Sequence, residues 1–392
     1  MRVPVSPSRE EDGGAVAVLV AILAVFLIGL SAFTVDMGAA YVSNRNLQKA
    51  ADAGALAGAQ SLSKVPGSCN SIRSNSAAVA AAKAVAVQVA KKNYPDVSWT
   101  ETAWDVRCDG ASKSLLVKLG NEGTTTTRFA GVFGGESEVT TGRAATATLE
   151  VGPYTNTRMR PLAMCSTQLT AGPFVRLDYP KDAPPSCGNA SGAWWTVDCP
   201  GAASNSTSQM VTQVRDGCPN GVSVVTSQSE SQTAQQLTTT LEAACLGGAT
   251  ADGGCLESNP GNLDSGQVAA SWQYLVDNSV PAIFPVFCAP PQCSDSTIDG
   301  SGNNATFPVY KLLGAVICGY HFSKNERYHS TSGECSGLPS DMKAGDDTSD
   351  NSVNYLIIKY VQISASGSNI EAECSLGSAN CDGGIRRTRL VE

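Results

Sequence analysis

The side chains with most chemistry to offer are the chain's only two histidines, His321 and His329, and the cysteines that flank them. Cys318-x2-His321 and His329-x5-Cys335 resemble zinc-ligand spacing, in which thiolate and imidazole converge on one tetrahedral ion. A Cys–His nucleophile at the same place needs an odd free thiol, and the chain has an even 14 cysteines. The competing reading is a Cys318–Cys335 disulfide beside two exposed histidines. Outside the cell, where thiols oxidise, that reading is the favoured one. The sequence holds no Gly-x-Ser-x-Gly elbow, no phosphate-binding Gly-x4-Gly-Lys loop and no His-Glu-x-x-His, so catalytic, cofactor and metal residues are all expected to be absent.

The cysteines therefore carry the chemistry: Cys69, Cys108, Cys165, Cys187, Cys199, Cys218, Cys245, Cys255, Cys288, Cys293, Cys318, Cys335, Cys374 and Cys381. Most sit in Gly/Ser/Asn/Pro surroundings, the usage of an oxidising compartment and a disulfide framework. Fourteen thiols allow on the order of 10⁵ pairings. Proximity suggests Cys187/Cys199, Cys245/Cys255 and Cys374/Cys381. Cys69/Cys108, the only two before Glu150, pair by elimination. The acidic Asp295–Asn303 stretch lacks the alternating ligands and closing Glu of a calcium loop and reads as a solvated turn. Asn189, Asn205 and Asn304 open glycosylation sequons, which mark polar exposed loops. Trp194-Trp195 is read as core before it is read as a sugar-binding surface.

Whatever these residues do is set by the elements that hold them. Gly13 to Val35 runs uncharged for 23 residues, about 34 Å as a helix, enough to cross a ~30 Å hydrocarbon core. The run is longer than the apolar core of a signal peptide, and Glu10, Glu11 and Asp12 stand where a basic n-region would. An uncleaved anchor is expected over cleavage near Gly38-Ala39-Ala40. Gly13 and Gly14 have Val18 and Leu19 five residues on, where a prepilin processing site has Glu. Flanking basic residues (Arg2 and Arg9; Arg45 and Lys49) balance, so the cysteines set the orientation: N-terminus cytoplasmic, the remainder outside.

The helical pattern continues past Asp36 to about Ser63, ended by Pro66-Gly67. Within it Gly54-x-x-x-Gly58 permits close helix packing. That packing is either with a neighbouring chain, in which case Leu at these positions would abolish crosslinking to it, or within the chain, which is slightly favoured. A second helix is read at Ser76–Asn93. Strands follow at Ala103–Cys108, Leu115–Leu119, Thr124–Val132 and Val139–Val151, parted by Asp109-Gly110, Asn121-Glu122-Gly123 and Gly134-Gly135. Near Val151-Gly152-Pro153 the composition changes. Before it stand 14 basic and 13 acidic residues; after it stand 13 basic and 22 acidic, with 12 of the cysteines. Beyond, helices are read at Ser229–Ala244 and Gln267–Asn278, and strands at Ala282–Phe287, Pro308–Cys318 and Val353–Ile363. The acidic balance and the lack of any basic block (Arg386-Arg387 is the densest) exclude nucleic acid as a partner.

Gly14–Val20, Val35-Asp36-Met37-Gly38, Tyr41 and the run Leu47-Gln48-Lys49-Ala50-Ala51-Asp52-Ala53-Gly54-Ala55-Leu56-Ala57-Gly58-Ala59 resemble the TadE/TadG-like proteins of tight-adherence (Flp) pilus assembly. A weaker likeness continues through Thr127–Gly134 and Arg143–Ala147. Phe284–Phe287, Gly300–Phe307 and Gly319–Phe322 resemble the larger TadG-like proteins of high-GC Gram-positive bacteria. The resemblance implies a structural, membrane-anchored component that helps assemble or anchor a pilus. Some relatives carry a von Willebrand A-type metal site; the nearest approach here, Asp347-Thr348-Ser349-Asp350-Asn351, has Asn351 where Ser is required.

The expectation is an α+β protein: a cytoplasmic N-terminus (1–12), a transmembrane helix (13–35), a pilin-like α+β stem (36–151) and a Cys-rich, mixed or β extracytoplasmic domain (152–392). Its expected partners are the lipid bilayer and other pilus-assembly or pilin-like proteins, including further copies of itself. The alternatives are a secreted or surface-anchored adhesin-like binding protein and, behind it, a surface hydrolase.

Overall fold

The computed structural model describes residues 13–94, 99–151, 154–179, 187, 195–199, 206–219, 222–226, 237–239, 255–259, 263, 265–287, 305–322, 326–344, 354–364, 374–378 and 382–391. Helix α1 (Gly13–Ser63) is a single uninterrupted helix, followed by α2 (Cys69–Ser74) and α3 (Ser76–Asn93). The chain then forms β1 (Thr100–Cys108), β2 (Leu115–Thr126), β3 (Glu138–Glu150), β4 (Tyr154–Thr157), β5 (Met164–Cys165), β6 (Val175–Asp178), α4 (Thr207–Asp216), β7 (Val222–Thr226), β8 (Leu237–Thr239) and β9 (Cys255–Glu257). Helix α5 (Gly266–Asp277) precedes β10 (Ala282–Phe287), β11 (Thr306–His321), β12 (Arg327–His329), β13 (Tyr355–Tyr360), β14 (Ile363–Ser364) and β15 (Ile385–Val391). The architecture is α+β, and the described residues form three sheets ordered β1-β2-β3-β15-β14, β5-β10-β11-β13-β6 and β4-β7-β8.

The first unit is a helical layer on a sheet. Along α1, burial falls at Ser43, Leu47, Ala50, Ala51, Ala55, Ala59 and Leu62, the three-to-four-residue recurrence of one helical face. Opposite it, Leu115, Val117 and Leu119 of β2 are buried at every second position, as a strand packed on one face requires. Ala82, Ala86 and Ala90 of α3 complete the layer. Small side chains on both helices let their axes approach closely. Helices α2 and α3 begin on side-chain caps: Ser68 Oγ accepts from Ser71 N at 3.3 Å, and Asn75 Oδ1 accepts from Ala78 N at 3.1 Å. Cys69–Cys108 ties α2 to the end of β1.

Two expectations for this unit change. Asn121-Glu122-Gly123 does not interrupt a strand, and there is no separate strand over Thr124–Val132. Strand β2 runs through to Thr126, and residues Ala130–Phe133 form a single 3-10 turn. The reason is α1 crossing overhead: Asn121 Nδ2 donates to the Leu47 carbonyl at 3.2 Å, and a Cβ on Gly123 would stand 3.2 Å from both Leu47 and Tyr94. Turn-forming residues serve there as contacts to a helix. The sheet is also completed from the far end of the sequence. Strand β15 pairs antiparallel with β3, from Arg387↔Glu150 to Val391↔Thr146. A division at 151/152 therefore leaves β15 across the boundary from the sheet it finishes.

In the second unit the long β11 is the hub, pairing with β10, β13, β12 and β9. Helix α5 lies against it, with Tyr320 OH donating to Ala269 O at 3.0 Å. Helix α4 packs on α5 through Ser271 Oγ donating to Val211 O at 3.0 Å. An aromatic chain fills the core: Tyr179 to Trp195 (5.2 Å), Trp195 to Phe287 (5.1 Å), Phe287 to Phe307 (5.4 Å) and Trp272 to Phe322 (5.7 Å). Trp195 is thus core; Trp194 lies outside the described residues. Leu237–Thr239 of the expected Ser229–Ala244 helix is a strand paired with β7; the rest of that segment lies outside the described residues.

The proximity pairing Cys187/Cys199 is overturned: the bonds are Cys165–Cys187 and Cys199–Cys218. Between Cys187 and Cys199, Thr196 bridges to Leu162 beside β5 and Val197 to Ser258. Cys187 therefore meets the end of β5, while Cys199 passes on to Cys218, whose N–H donates to Met159 O at 2.8 Å. Cys374 is disulfide-bonded; Cys381, Cys245, Cys288, Cys293 and the side chain of Cys255 lie outside what is described, as do Asp295–Asn303, Asp347–Asn351 and the sequon residues Asn189, Asn205 and Asn304.

Candidate functional site

Three places bear on function: the histidine–cysteine cluster, the free half of α1, and the C-terminal junction between the two units. At the first, Cys318 and Cys335 are joined in a disulfide, which takes both thiolates out of the zinc-like pattern. His329 Nε2 lies 2.9 Å from Tyr355 OH, and its ring stacks on Tyr355 at 5.9 Å. His321 meets the same ring edge-on at 5.5 Å and is fully buried, not exposed as the sequence suggested. The Arg176 guanidinium covers Tyr355 at 4.0 Å, an arrangement of cation on aromatic face. The cluster is a packed corner between β11, β12 and β13. Among the described residues no three His, Cys, Asp or Glu side chains are grouped to hold a metal.

The second place is α1. From Val16 to Val35 its large apolar side chains face outward, with exposures from 47 % at Leu30 to 67 % at Leu19 and Ile22. Exposed apolar surface on this scale marks an interaction with lipid or protein. Its two hydroxyls are satisfied inside the helix: Ser31 Oγ donates to Leu27 O and Thr34 Oγ1 to Ser31 O, each at 2.8 Å. That internal satisfaction suits a helix surrounded by hydrocarbon.

The helix enters the folded unit at Asp36. Its carboxylate, 8 % exposed, accepts three backbone N–H groups from the β2–β3 tip: Arg128 at 2.8 Å, Phe129 at 3.0 Å and Ala130 at 2.7 Å. Burial would raise its pKa, but the three backbone bonds and the nearby Arg128 charge outweigh that and hold it below the ordinary 3.8. The tip is closed on itself by Thr127 N to Ser137 O (2.9 Å) and Gly135 N to Ala130 O (2.8 Å), with Gly134 at φ +83°. In the sequence Asp36 stands within the Val35-Asp36-Met37-Gly38 motif with no partner in view. The signal available was a lone carboxylate directly after an uncharged run.

Gly54 and Gly58 face inward. A Cβ on Gly54 would overlap Leu119 Cδ2 and stand 3.0 Å from Ala86 O; on Gly58 it would stand 2.9 Å from the Trp104 ring. Their close approach is to α3, β1 and β2 of the same chain.

The third place, the C-terminal junction, has no local signature in the sequence. Arg386 is 1 % exposed and donates to Asp382 at 2.7 Å, to Val65 O at 2.6 Å and to Gly67 O at 3.2 Å. Arg387 Nε donates to Glu150 Oε1 at 2.7 Å and Arg389 Nε to the same oxygen at 2.9 Å. Just before β15, Gly383 O accepts from Gly314 N of β11 at 2.8 Å. The C-terminal segment clasps the exit of α1 to the middle of the second unit. The basic pair that looked like a meagre surface patch is a buried structural junction.

A long apolar helix that stands clear of the fold for its first half and forms the core helix of an α+β unit for its second defines a stalked protein. Residues 14–61 match the family model described as putative Flp pilus-assembly TadE/G-like, so the chain carries a TadE/G-like Flp pilus-assembly segment. The match spans nearly all of α1 and ends before α2. No curated protein and no solved structure matches the chain.

Proposed function

We propose that the protein is a membrane-anchored structural component of Flp/Tad-type pilus assembly or anchoring, and that it catalyses no reaction. Residues 13–35 cross the cytoplasmic membrane with the N-terminus inside. The α+β stem and the disulfide-stapled second unit stand outside, where they meet other pilus components. The observation that carries this reading is the exposed apolar half of α1 running without a break into the stem, all within the family-matched segment. Disulfides in both units support an oxidising exterior. The test is deletion in a cell that assembles such pili. Surface pili should be lost, restored by the intact chain, and not restored by a chain secreted from residue 36 onward. Full restoration by the secreted form would refute the anchoring role and favour a secreted binding protein.

A further inference from the structure

The exposed apolar surface of α1 does not stop at the end of the hydrocarbon-length run. Met37, Tyr41 and Val42 are 57 %, 68 % and 57 % exposed, and the next outward side chains on α1 are Arg45 and Lys49. Val35 to Val42 covers about 10 Å of helix at ~1.5 Å per residue, enough to cross one headgroup layer of about 5–8 Å, half the difference between a bilayer of about 40–45 Å and its ~30 Å core. At the same level the Asp36 carboxylate pins the β2–β3 tip, where Phe129 is 41 % exposed and Arg128 is exposed beside it.

We propose that the outer headgroup layer of the bilayer covers the surface made by Met37, Tyr41, Val42 and Phe129, so that the β2–β3 tip rests on the membrane. This rests on the anchoring reading above. Tyr and other amphipathic or aromatic side chains gather at this depth, and a long basic side chain such as Arg128 lays its stem on apolar surface while its charge meets phosphate. A neighbouring helix would seek a stripe of small residues for close approach, but Gly54 and Gly58 are buried against α3 and the sheet, and the exposed Gly38 stands among the large side chains of Met37, Tyr41 and Val42. The Asp36 clamp then has a mechanical consequence. It joins the membrane helix to the sheet at the water boundary, so the stem stands at a fixed height and tilt.

The test places the photocrosslinker p-benzoylphenylalanine, one site at a time, at Leu23, Tyr41, Phe129 and Tyr274 of the full chain in phosphatidylethanolamine–phosphatidylglycerol liposomes. Lipid adducts are expected at Leu23, Tyr41 and Phe129 and not at Tyr274, on α5 of the second unit. In the Asp36→Ala chain the Phe129 lipid adduct should fall several-fold relative to Leu23. Lipid adducts at Leu23 without any at Phe129 would overturn the inference and leave anchoring intact, as would protein–protein adducts replacing lipid ones at Phe129. No lipid adduct at Leu23 would remove the anchoring reading itself, and the inference with it.

Discussion

The junction at Asp382 and Arg386 offers the sharpest energetic test. Their side chains are 3 % and 1 % exposed, so the pair is desolvated on both sides. Asp382 also accepts from Gly377 N at 2.7 Å and Gly384 N at 2.9 Å, and its charge supports Lys311, whose pKa burial pulls down. Replacing Asp382 with Ala leaves a guanidinium buried with only the Val65 and Gly67 carbonyls, and strips two amides of their acceptor. Breaking a buried pair from one side costs about 3–5 kcal/mol. Exchange of the β15 amides in the full chain in detergent micelles reads this locally. At ~1.4 kcal/mol per tenfold, protection over residues 385–391 should fall by roughly two to three and a half orders of magnitude. Arg386→Met alone should cost a similar amount. The double variant should be less harmful than the two singles added, by about 2 kcal/mol, because the partners share one network. Strict additivity, or a loss under about 1 kcal/mol for Asp382→Ala, would refute the clasp.

Other outcomes follow from the same geometry. Gly54→Leu should destabilise the stem by at least about 1–3 kcal/mol in urea unfolding, because it overpacks a buried contact; a stable fold with lost crosslinking between chains would show the glycines face a neighbour instead. Removing Cys69 and Cys108 together opens a loop with a sequence separation of 39, which chain entropy puts at about 4 kcal/mol, measurable as a lowered unfolding midpoint of the full chain. Asp36 titrates lower folded than unfolded, so its contribution is whole above about pH 4 and is lost as pH falls through the folded value. Protection of the Arg128, Phe129 and Ala130 amides should therefore drop selectively in acid, and Asp36→Asn should abolish that pH step. Disappearance of protection at the same pH throughout the stem would contradict a local clamp.

What the sequence shows of this fold follows from how local its causes are. Helices α1 and α3 were legible to within a residue or two, since unbroken Ala/Leu/Val runs bounded by Pro-Gly or a basic last turn decide themselves. Strands β10 and most of β11 were legible for the same reason. Cys69–Cys108 and Cys318–Cys335 were accessible by elimination and by compartment. Tertiary contacts hid the rest. Asn121 and Gly123 look like a turn until a helix lies across them. Cys187 and Cys199 are neighbours in sequence but are led apart by the Leu162–Thr196 bridge. Strand β15 pairs with β3 across more than half the chain, and no local pattern distinguishes Arg386 buried against Asp382 from an exposed arginine. At the free half of α1 the apolar run was plain, while Asp36 depended on a hairpin brought to it from residues 128–130.

Protease shaving of intact cells, with the released peptides mapped without reduction, decides whether α1 anchors a disulfide-stapled exterior. Peptides beyond residue 63 are expected to be released with Cys69–Cys108, Cys165–Cys187, Cys199–Cys218 and Cys318–Cys335 intact, while residues 13–35 stay with the membrane. Reduced cysteines in a C-terminal part that the intact cell protects from protease would contradict that topology.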